Sequence, residues 1–462
     1  MTRGSLVVVA NRLPVDEQIA PDGQQIWRRS PGGLVSALHP VLREAESTWI
    51  GWAGGIDSNP SVPDTEGVRM RSVALTAEDF AGYYEGFSNS TLWPLYHDAV
   101  EQPIYHRRWW EAYKRVNRRF AEVTAEVAEP DSVVWVQDYH LQLVPAMVRA
   151  LRSDVRIGFF LHIPFPPAEL FMQLPRRAEL LHGLLGADLV GFQGAYGAQN
   201  FTRLAARLLG VRTRRNEIQI DGRTVRTGAF PISIDVVEME HLARREDVID
   251  QAAKIRADLG EPERIILGVD RLDYTKGIEQ RLKAYRELLS AGQVVVPETV
   301  MVQVAVPTRE TAEHYRILRD RVEAAVGGIN GEYGRVGVPA VHYLSQSFEP
   351  AELAALYRAA DVLTVTPLRD GMNLVAKEYV AARVDGGGAL VLSEFTGAAA
   401  QLRDAYLVNP HDLDGLKAAM MRALTAPTAD ARRRMRGMRR HLRANDIRHW
   451  ADSYLTALGR PT

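Results

Sequence analysis

The sequence predicts an α/β protein made of two doubly wound units. Short runs rich in Val and Ile alternate with longer stretches of helical periodicity along the whole chain of 462 residues. Hydrophobicity within the runs is continuous rather than alternating, which is typical of parallel strands covered by helices on both faces. A chain of this length also exceeds what one core usually holds, so two or three domains are expected.

Five buried strands are predicted in the first half of the chain. Amphipathic stretches at 140–152 and 197–209 separate the later runs and are typical of helices that cover a sheet. The segment between Leu209 and Val225, residues 210–224, carries no motif and is predicted to be a loop. The five runs are LVVVA (6–10), SVVWVQ (132–137), RIGFFLH (156–162), DLVGFQ (188–193) and the stretch around VRTGAFPI (225–232).

The second half repeats this design after a highly charged helical stretch at 236–262. We therefore predict a first domain over 1–235, joined by a C-terminal helix at 446–462, and a second domain over 236–445. Doubly wound units bind ligands at the carboxyl ends of their strands. The second-half strands are RIILGVD (264–270), TVMVQVAV (299–306), AVHYL (340–344), DVLTVTP (361–367), ALVLS (389–393) and YLVNP (406–410).

The composition argues against several classes of protein. Lys and Arg number 56 against 57 Asp and Glu, and the net charge of −1 favours neither nucleic acid nor a membrane surface. The basic run at 432–440 is interpreted as a solvated helix face. The lack of cysteine excludes disulfides, thiolate-bound zinc and thiol nucleophiles. We identify no signal peptide and no membrane-spanning run, and we predict a cytoplasmic enzyme.

Two clusters of loop residues offer features suited to phosphate. Asn11-Arg12-Leu13-Pro14 follows the first strand, and Ser30-Pro31-Gly32-Gly33-Leu34 opens a helix whose amides would attract an anion, although a Gly-Gly turn is more often structural. The loop from Val269 to Gly277 holds Arg271 and Lys276. These two cations would neutralise a leaving diphosphate, unless they are solvated charges near a helix start.

A further loop, Pro367 to Glu378, again joins a strand to a helix. Asp370 would accept hydrogen bonds from sugar hydroxyls, and residues 371–375 offer backbone amides. The alternative is a helix with Asp370 as its N-cap, which would leave a glutamate on the buried face unexplained.

Eight motifs follow one another along the chain: ANRLPV, SPGGL, YYEGFSNSTLWPLYH, WVQDYHLQLVP, FFLHIPFPP, GVDRLDYTKG, INGEYG and TPLRDGMNLVAKE. In this order, over roughly Val7 to Leu458, they closely resemble the trehalose-6-phosphate synthases, glycosyltransferase family 20. The resemblance implies a GT-B fold, in which two Rossmann-like domains face across a cleft. It also implies a retaining, metal-independent enzyme without a cofactor, and a homo-oligomer, dimer or tetramer. The expected reaction moves glucose from UDP-glucose, or GDP-glucose in some relatives, to glucose 6-phosphate and gives α,α-trehalose 6-phosphate.

The resemblance also assigns roles to residues. The acceptor would contact Arg12, Trp52, Tyr84, Trp93, Asp138 and Arg309. The donor would contact Gly33, His162, Arg271, Lys276, Phe348, Asp370, Gly371, Met372, Asn373, Leu374, Val375 and Glu378. The catalytic residues among them would be Arg271, Lys276, Asp138, His162 and Asp370.

Each of these positions also has a structural alternative. His162 ends an apolar strand and would otherwise be a core histidine, and the three acceptor aromatics would be packing residues. Asp138 would cap the helix that follows it, and Arg309 would cap a strand end. The co-occurrence of the motifs favours the functional roles.

No metal site is predicted. Asp412-Leu413-Asp414 spells the DxD of metal-dependent transferases, but it precedes a helical stretch, and helix capping explains it better. The 12 histidines show no tight ligand spacing. Lys276 and Lys377 lack the flanking motifs of a pyridoxal Schiff base.

The sequence also bears on the mechanism and on three other functions. A double displacement requires a carboxylate about 5 Å from the acid, and the nearest candidate, Asp138, is assigned to the acceptor. The resemblance therefore implies same-face attack. A non-catalytic sugar-phosphate sensor would have lost cleft residues that are intact here. A pseudo-glycosyltransferase joining aminocyclitols would depart from the LRDGMN and LWPLYH motifs, and an NAD-dependent dehydrogenase would carry GxGxxG.

Overall fold

The computed structural model describes residues 5–19, 25–29, 38, 42, 47–58, 60–65, 67–309 and 313–459. The chain divides into two compact units, Met1–Ile232 with Ile447–Thr462, and Ser233–Asp446. Each unit is built on a mainly parallel sheet with helices, so the predicted α/β class is confirmed.

The sheet of the first unit has nine strands among the described residues, in the order β5-β4-β1-β6-β7-β8-β11-β10-β9. β1 pairs in parallel with β4 on one side and with β6 on the other. The strand order therefore reverses between β1 and β6, where a doubly wound sheet binds its ligand. The strands are β1 (Leu6–Arg12), β2 (Val15–Ile19), β3 (Gln25–Arg29), β4 (Ser47–Trp52), β5 (Val68–Ser72), β6 (Val133–Gln137), β7 (Arg156–Leu161), β8 (Leu189–Phe192), β9 (Arg212–Arg214), β10 (Glu217–Ile220) and β11 (Arg223–Ala229); β2 and β3 form a separate hairpin.

The sheet of the second unit has six parallel strands, ordered β14-β13-β12-β15-β16-β17. The order reverses between β12 and β15, which is the arrangement of the dinucleotide-binding folds. The strands are β12 (Arg264–Arg271), β13 (Thr299–Val306), β14 (Val341–Leu344), β15 (Val362–Val365), β16 (Ala389–Ser393) and β17 (Tyr406–Val408).

Helices connect the strands in both units. A π-helix, Phe80–Leu92, follows α1 directly, and 3-10 turns lie at Tyr139–Leu141, Tyr274–Lys276 and Gly397–Ala400. No helix of the described ranges is both long enough and apolar enough to cross a membrane. The α-helices are α1 (Ala77–Asp79), α2 (Trp93–Tyr96), α3 (Arg107–Val127), α4 (Val144–Leu151), α5 (Ala168–Phe171), α6 (Arg177–Leu184), α7 (Ala195–Leu209), α8 (Val236–Arg244), α9 (Glu246–Asp258), α10 (Ile278–Ser290), α11 (Glu313–Tyr333), α12 (Pro350–Ala359), α13 (Leu374–Ala382), α14 (Leu413–Leu424), α15 (Thr428–Ala444) and α16 (Ile447–Leu458).

The last helix, α16, packs on the sheet of the first unit. The ring of Tyr454 stacks on Trp135 with 4.7 Å between ring centres, and its hydroxyl donates to the Phe159 carbonyl at 2.9 Å. A Cβ at Gly158 would lie 2.6 Å from that hydroxyl oxygen, so glycine leaves the space that the tyrosine fills. This packing explains why the end of the chain returns to the first unit.

The segment 210–224, predicted to be a loop, is instead largely strand. Ile218 and Ile220 of β10 are buried between exposed neighbours, which is the alternation of a strand with one covered face. Asp221 and Gly222 both have positive φ, 47° and 72°, and form the two-residue turn that joins β10 to β11. The Asp-Gly pair within alternating residues was the sequence signal for this hairpin.

The basic run at 432–440 is only partly solvated. Met435 and Met438 of α15 are buried. The Arg434 guanidinium lies 4.4 Å from the centre of the Tyr406 ring, and Arg439 donates to Glu240 at 2.9 Å. These two arginines therefore contribute to packing within the second unit.

Candidate active site

Arg12 and Trp52 come together in the first unit because β1 and β4 are adjacent and end side by side. The Arg12 guanidinium carbon lies 4.7 Å from the centre of the Trp52 ring, within the range of a cation–π contact. Trp52 is 4% exposed and donates its indole N–H to the Gly55 carbonyl at 2.7 Å. Gly54 has a φ of 101°, and a Cβ there would lie 2.8 Å from Arg12 Nη2. Glycine at this position therefore leaves room for the guanidinium.

Tyr84 and Trp93 are presented by the π-helix and by the start of α2. The Tyr84 ring stacks on His140, with 5.8 Å between centres, and lies 6.2 Å from the Trp52 ring. The Trp93 ring lies 5.7 Å from that of Tyr139. The predicted acceptor aromatics thus form one connected group in this unit. π-helical segments are rare and are frequent at functional sites.

Asp138 follows β6 with an unusual backbone conformation, φ 72° and ψ 171°. A non-glycine residue in this region costs about 1–3 kcal/mol and persists only where its surroundings fix it. Its carboxylate accepts from the His162 amide at 3.1 Å, while its own amide donates to the Phe160 carbonyl at 2.7 Å. Asp138 is therefore tied to the end of β7, which a simple helix-capping role does not require.

His162 follows β7 and is neutral at physiological pH. Its Nε2 lies 2.9 Å from Gln137 Oε1, and burial lowers its pKa to about 3. A neutral imidazole is suited to exchange a hydrogen bond with a sugar hydroxyl.

Lys276 and Asp370 meet in the second unit, across the reversal of strand order between β12 and β15. Lys276 Nζ lies 2.7 Å from Asp370 Oδ2, and the two side chains are 10% and 14% exposed. Asn373 Nδ2 donates to the same carboxylate oxygen at 3.2 Å. Arg271, the last residue of β12, is by contrast exposed. The loop thus offers a mostly buried lysine and an exposed arginine.

Asn373, and not Asp370, caps α13. Its side chain accepts from the Ala376 amide at 3.0 Å, and its φ is 83°. The alternative in which Asp370 is the N-cap is therefore wrong. The other predicted donor residues of this loop, Gly371, Met372, Leu374 and Val375, lie immediately before or at the first turn of the same helix.

Glu378 lies one turn further along α13, and Phe348 lies outside this loop and helix. Glu378 Oε2 accepts from the Tyr357 hydroxyl at 2.9 Å, and burial raises the pKa of this carboxyl group. Phe348 is half-buried just before α12. Gly33, the remaining donor residue, lies outside the described residues.

Arg309 belongs to the second unit, unlike the other predicted acceptor residues. It follows β13, its side chain is 7% exposed, and its Nη1 lies 3.4 Å from Asp273 Oδ2. Asp273 lies on the same loop as Arg271 and Lys276. No role was predicted for Asp273 from the sequence, although a carboxylate between two cations after a buried strand was a visible signal.

The DxD sequence has structural functions. Asp412 caps α14 by accepting from the Gly415 amide at 2.9 Å, and Asp414 lies 2.8 Å from Lys417 Nζ. Across the described ranges, no three His, Asp or Glu side chains form a group that could hold a metal ion. Lys377 is fully buried against Gln401, and burial lowers its pKa to about 7.

Comparisons with known proteins agree over nearly the whole chain. The sequence model of glycosyltransferase family 20 matches residues 4–460. A trehalose-6-phosphate synthase of Mycobacterium avium (strain 104) is 58% identical over 465 residues, covering 98% of this chain and 94% of the relative.

Two solved structures extend the similarity to the fold. An α,α-trehalose-phosphate synthase (UDP-forming) of Burkholderia xenovorans in complex with glucose-6-phosphate is 36% identical, with a TM-score of 0.91 and coverage of 98% and 100% of the two chains. An E. coli protein bound with UDP-2-fluoro glucose is 36% identical, with a TM-score of 0.89 and coverage of 99% of both chains. The predicted GT-B class is thereby confirmed.

Proposed function

This chain belongs to glycosyltransferase family 20, and on that premise we propose that it transfers glucose from UDP-glucose to glucose 6-phosphate and forms α,α-trehalose 6-phosphate. Relatives 57–58% identical to it are trehalose-6-phosphate synthases. Related structures hold glucose-6-phosphate in one case and UDP-2-fluoro glucose in another.

The observation that carries the proposal is the pair of loops after β12 and β15. Lys276 and Asp370 are fixed to each other at 2.7 Å, while Arg271 on the same loop faces solvent. The cations supply the charge that a leaving diphosphate needs, and Asp370 with the amides at the start of α13 supplies partners for sugar hydroxyls. Glu378 would bind the ribose of the donor.

In the first unit, the Arg12 group is proposed to bind the acceptor. In the second unit, Arg309 is proposed to bind the acceptor's phosphate. A guanidinium stacked on Trp52 is oriented before any ligand arrives, which reduces the entropy lost when it binds a phosphate. Tyr84, Trp93 and Asp138 would contact the same substrate.

The transfer would retain configuration by attack on the face from which the nucleotide leaves. The bond between the anomeric carbon and the diphosphate oxygen breaks, and a bond to the acceptor's 1-hydroxyl oxygen forms. The hydroxyl proton passes to the departing phosphate oxygen. Arg271 and Lys276 stabilise the charge that develops there, and neutral His162 hydrogen-bonds the donor's 6-hydroxyl.

A donor panel tests the proposal. The protein is incubated with glucose 6-phosphate and with UDP-, GDP-, ADP- or TDP-glucose, and the released nucleotide is quantified, with glucose in place of glucose 6-phosphate as the control. We expect UDP release that requires the phosphorylated acceptor. Faster release of GDP would assign the other donor, and binding of both substrates without release would support the sensor alternative instead.

A further inference from the structure

Asp273 is a fully buried carboxylate that joins two parts of the proposed site. Its Oδ1 accepts from the Thr275 amide at 2.9 Å and from the Thr275 hydroxyl at 2.8 Å. Its Oδ2 accepts from Arg309 Nη1 at 3.4 Å and from the Tyr315 hydroxyl at 3.3 Å. One oxygen therefore holds the loop that carries Arg271 and Lys276, and the other faces Arg309.

The charges around Asp273 keep it ionised. Burial alone would raise its pKa, but Arg309, Arg271 and Lys276 hold the pKa down, to about 2. A buried carboxylate with this many partners is a fixed negative charge at every pH at which the enzyme would operate.

Arg309 is fixed by more than this one contact. Its Nη1 donates to the Tyr315 hydroxyl, and its guanidinium carbon lies 5.6 Å from the centre of the Tyr315 ring. Its φ of 48° lies in the left-handed region, which a non-glycine residue adopts only when its surroundings impose it. Asp273 and Tyr315 thus both contribute to the position of this guanidinium.

We propose that Asp273 is a positioning residue that holds Arg309 in a fixed place relative to the 271–276 loop. The inference rests on the proposed function, in which Arg309 binds the acceptor phosphate and the loop binds the donor diphosphate. Asp273 has two opposing effects on the affinity for the acceptor phosphate, one through its charge and one through the orientation of Arg309. The carboxylate repels an incoming phosphate, but it also holds the guanidinium that binds that phosphate.

The substitution Asp273→Asn separates the two effects. The asparagine oxygen can still accept from Thr275, which keeps the donor loop in place, but its NH₂ group cannot accept from Arg309 or Tyr315. If charge dominates, the KM for glucose 6-phosphate falls. If positioning dominates, as we propose, that KM rises roughly 10- to 100-fold, while kcat and the KM for UDP-glucose change less than about threefold.

A double-mutant cycle with Arg309→Ala shows whether the effect passes through Arg309. We expect Asp273→Asn to cause no further rise in the acceptor KM when Arg309 is already removed. An equal rise in both backgrounds, or a fall in KM, would overturn the proposal. Asp361→Asn is the matched control, because Asp361 pairs with Arg256 at 3.0 Å just before β15, at the opposite end of that strand.

Two further outcomes are informative. If Asp273→Asn does not fold, Tyr315→Phe replaces it in the cycle. We expect Tyr315→Phe to raise the KM for glucose 6-phosphate about threefold and to have no effect in the Arg309→Ala background. An unchanged KM in Tyr315→Phe would count against the proposal. If the wild-type protein releases no UDP with glucose 6-phosphate, the proposed function itself has failed. Failure of the positioning role alone would appear only in the variants of an active enzyme.

Discussion

Replacing Arg271 by alanine is the cleanest perturbation of the proposed leaving-group stabilisation. Arg271 is exposed at the end of β12, so its loss should lower the melting temperature less than the loss of the mostly buried Lys276. If it stabilises charge that develops on the diphosphate, kcat should fall about 10²–10³-fold, which corresponds to about 2.7–4 kcal/mol.

Lys276→Ala should show two effects where Arg271→Ala shows one. Lys276 and Asp370 are mostly shielded from solvent, and their side-chain atoms lie 2.7 Å apart. Removing one partner of a buried ion pair leaves the other charge uncompensated, at a cost of about 3–5 kcal/mol in stability. We therefore expect a similar fall in kcat together with a lowered melting temperature.

The assay is steady-state UDP release at saturating donor, with thermal denaturation of each variant. Arg271→Lys should recover only part of the lost rate, since an ammonium group cannot reproduce the two-pronged contact of a guanidinium. Arg264→Ala is a matched control, because Arg264 is an exposed arginine at the opposite end of the same strand. Near-normal kcat with only a raised donor KM in both alanine variants would refute the electrostatic role and leave a docking site.

Four other predictions follow from the geometry. Arg12→Ala should raise the KM for glucose 6-phosphate about 10- to 150-fold with little change in the KM for the donor. Gly54→Ala should have a similar effect, because its methyl group displaces the Arg12 guanidinium. An unchanged KM for glucose 6-phosphate in both variants would disprove the role of Arg12 in acceptor binding. Activity should survive EDTA, whereas complete loss restored by Mn²⁺ or Mg²⁺ would contradict the assignment. Burial lowers the pKa of His162 from 6.5 to about 3, so between these pH values the unfolded chain binds a proton that the folded protein does not. The free energy of unfolding should therefore rise with pH in that window, by up to about 1.4 kcal/mol per pH unit. A pKa near 6.5 for His162 in an NMR titration of the folded protein would contradict this. Burial lowers the pKa of Lys377 from 10.5 to about 7, so between these pH values the unfolded chain binds a proton that the folded protein does not. The denaturation midpoint of the wild-type protein should rise with pH in that window, and the Lys377→Met variant should lack this rise.

The strands covered on both faces were the predictable part of the fold. The run TVMVQVAV gives β13 with the predicted bounds, Thr299–Val306, because a short apolar run rich in valine is typical of a strand covered on both faces. β4 was missed because STWIGW mixes small polar residues with two tryptophans, although the whole strand is buried. β11 was predicted in part, as the strand around 225–232, but β10 was missed because only one of its faces is apolar, which leaves the period-2 pattern and the Asp-Gly turn as its signals.

Site residues were predictable where a motif follows a predicted strand. Contacts between side chains that are distant in sequence were not predictable. Arg12, Asp138, Lys276 and Asp370 lie at a strand end or in the loop that follows one, where doubly wound sheets bind ligands. The contact of Asp273 with Arg309 depends on the register of β12 with β13, which one sequence does not give.

The stereochemistry of the product tests the central claim most directly. UDP-[1-¹³C]glucose is incubated with glucose 6-phosphate in the presence of EDTA, and the labelled carbon is followed by NMR. The account predicts one UDP released for each labelled carbon that enters an α,α-1,1-linked disaccharide phosphate. A β-configured label, or labelled free glucose without a disaccharide phosphate, would contradict it.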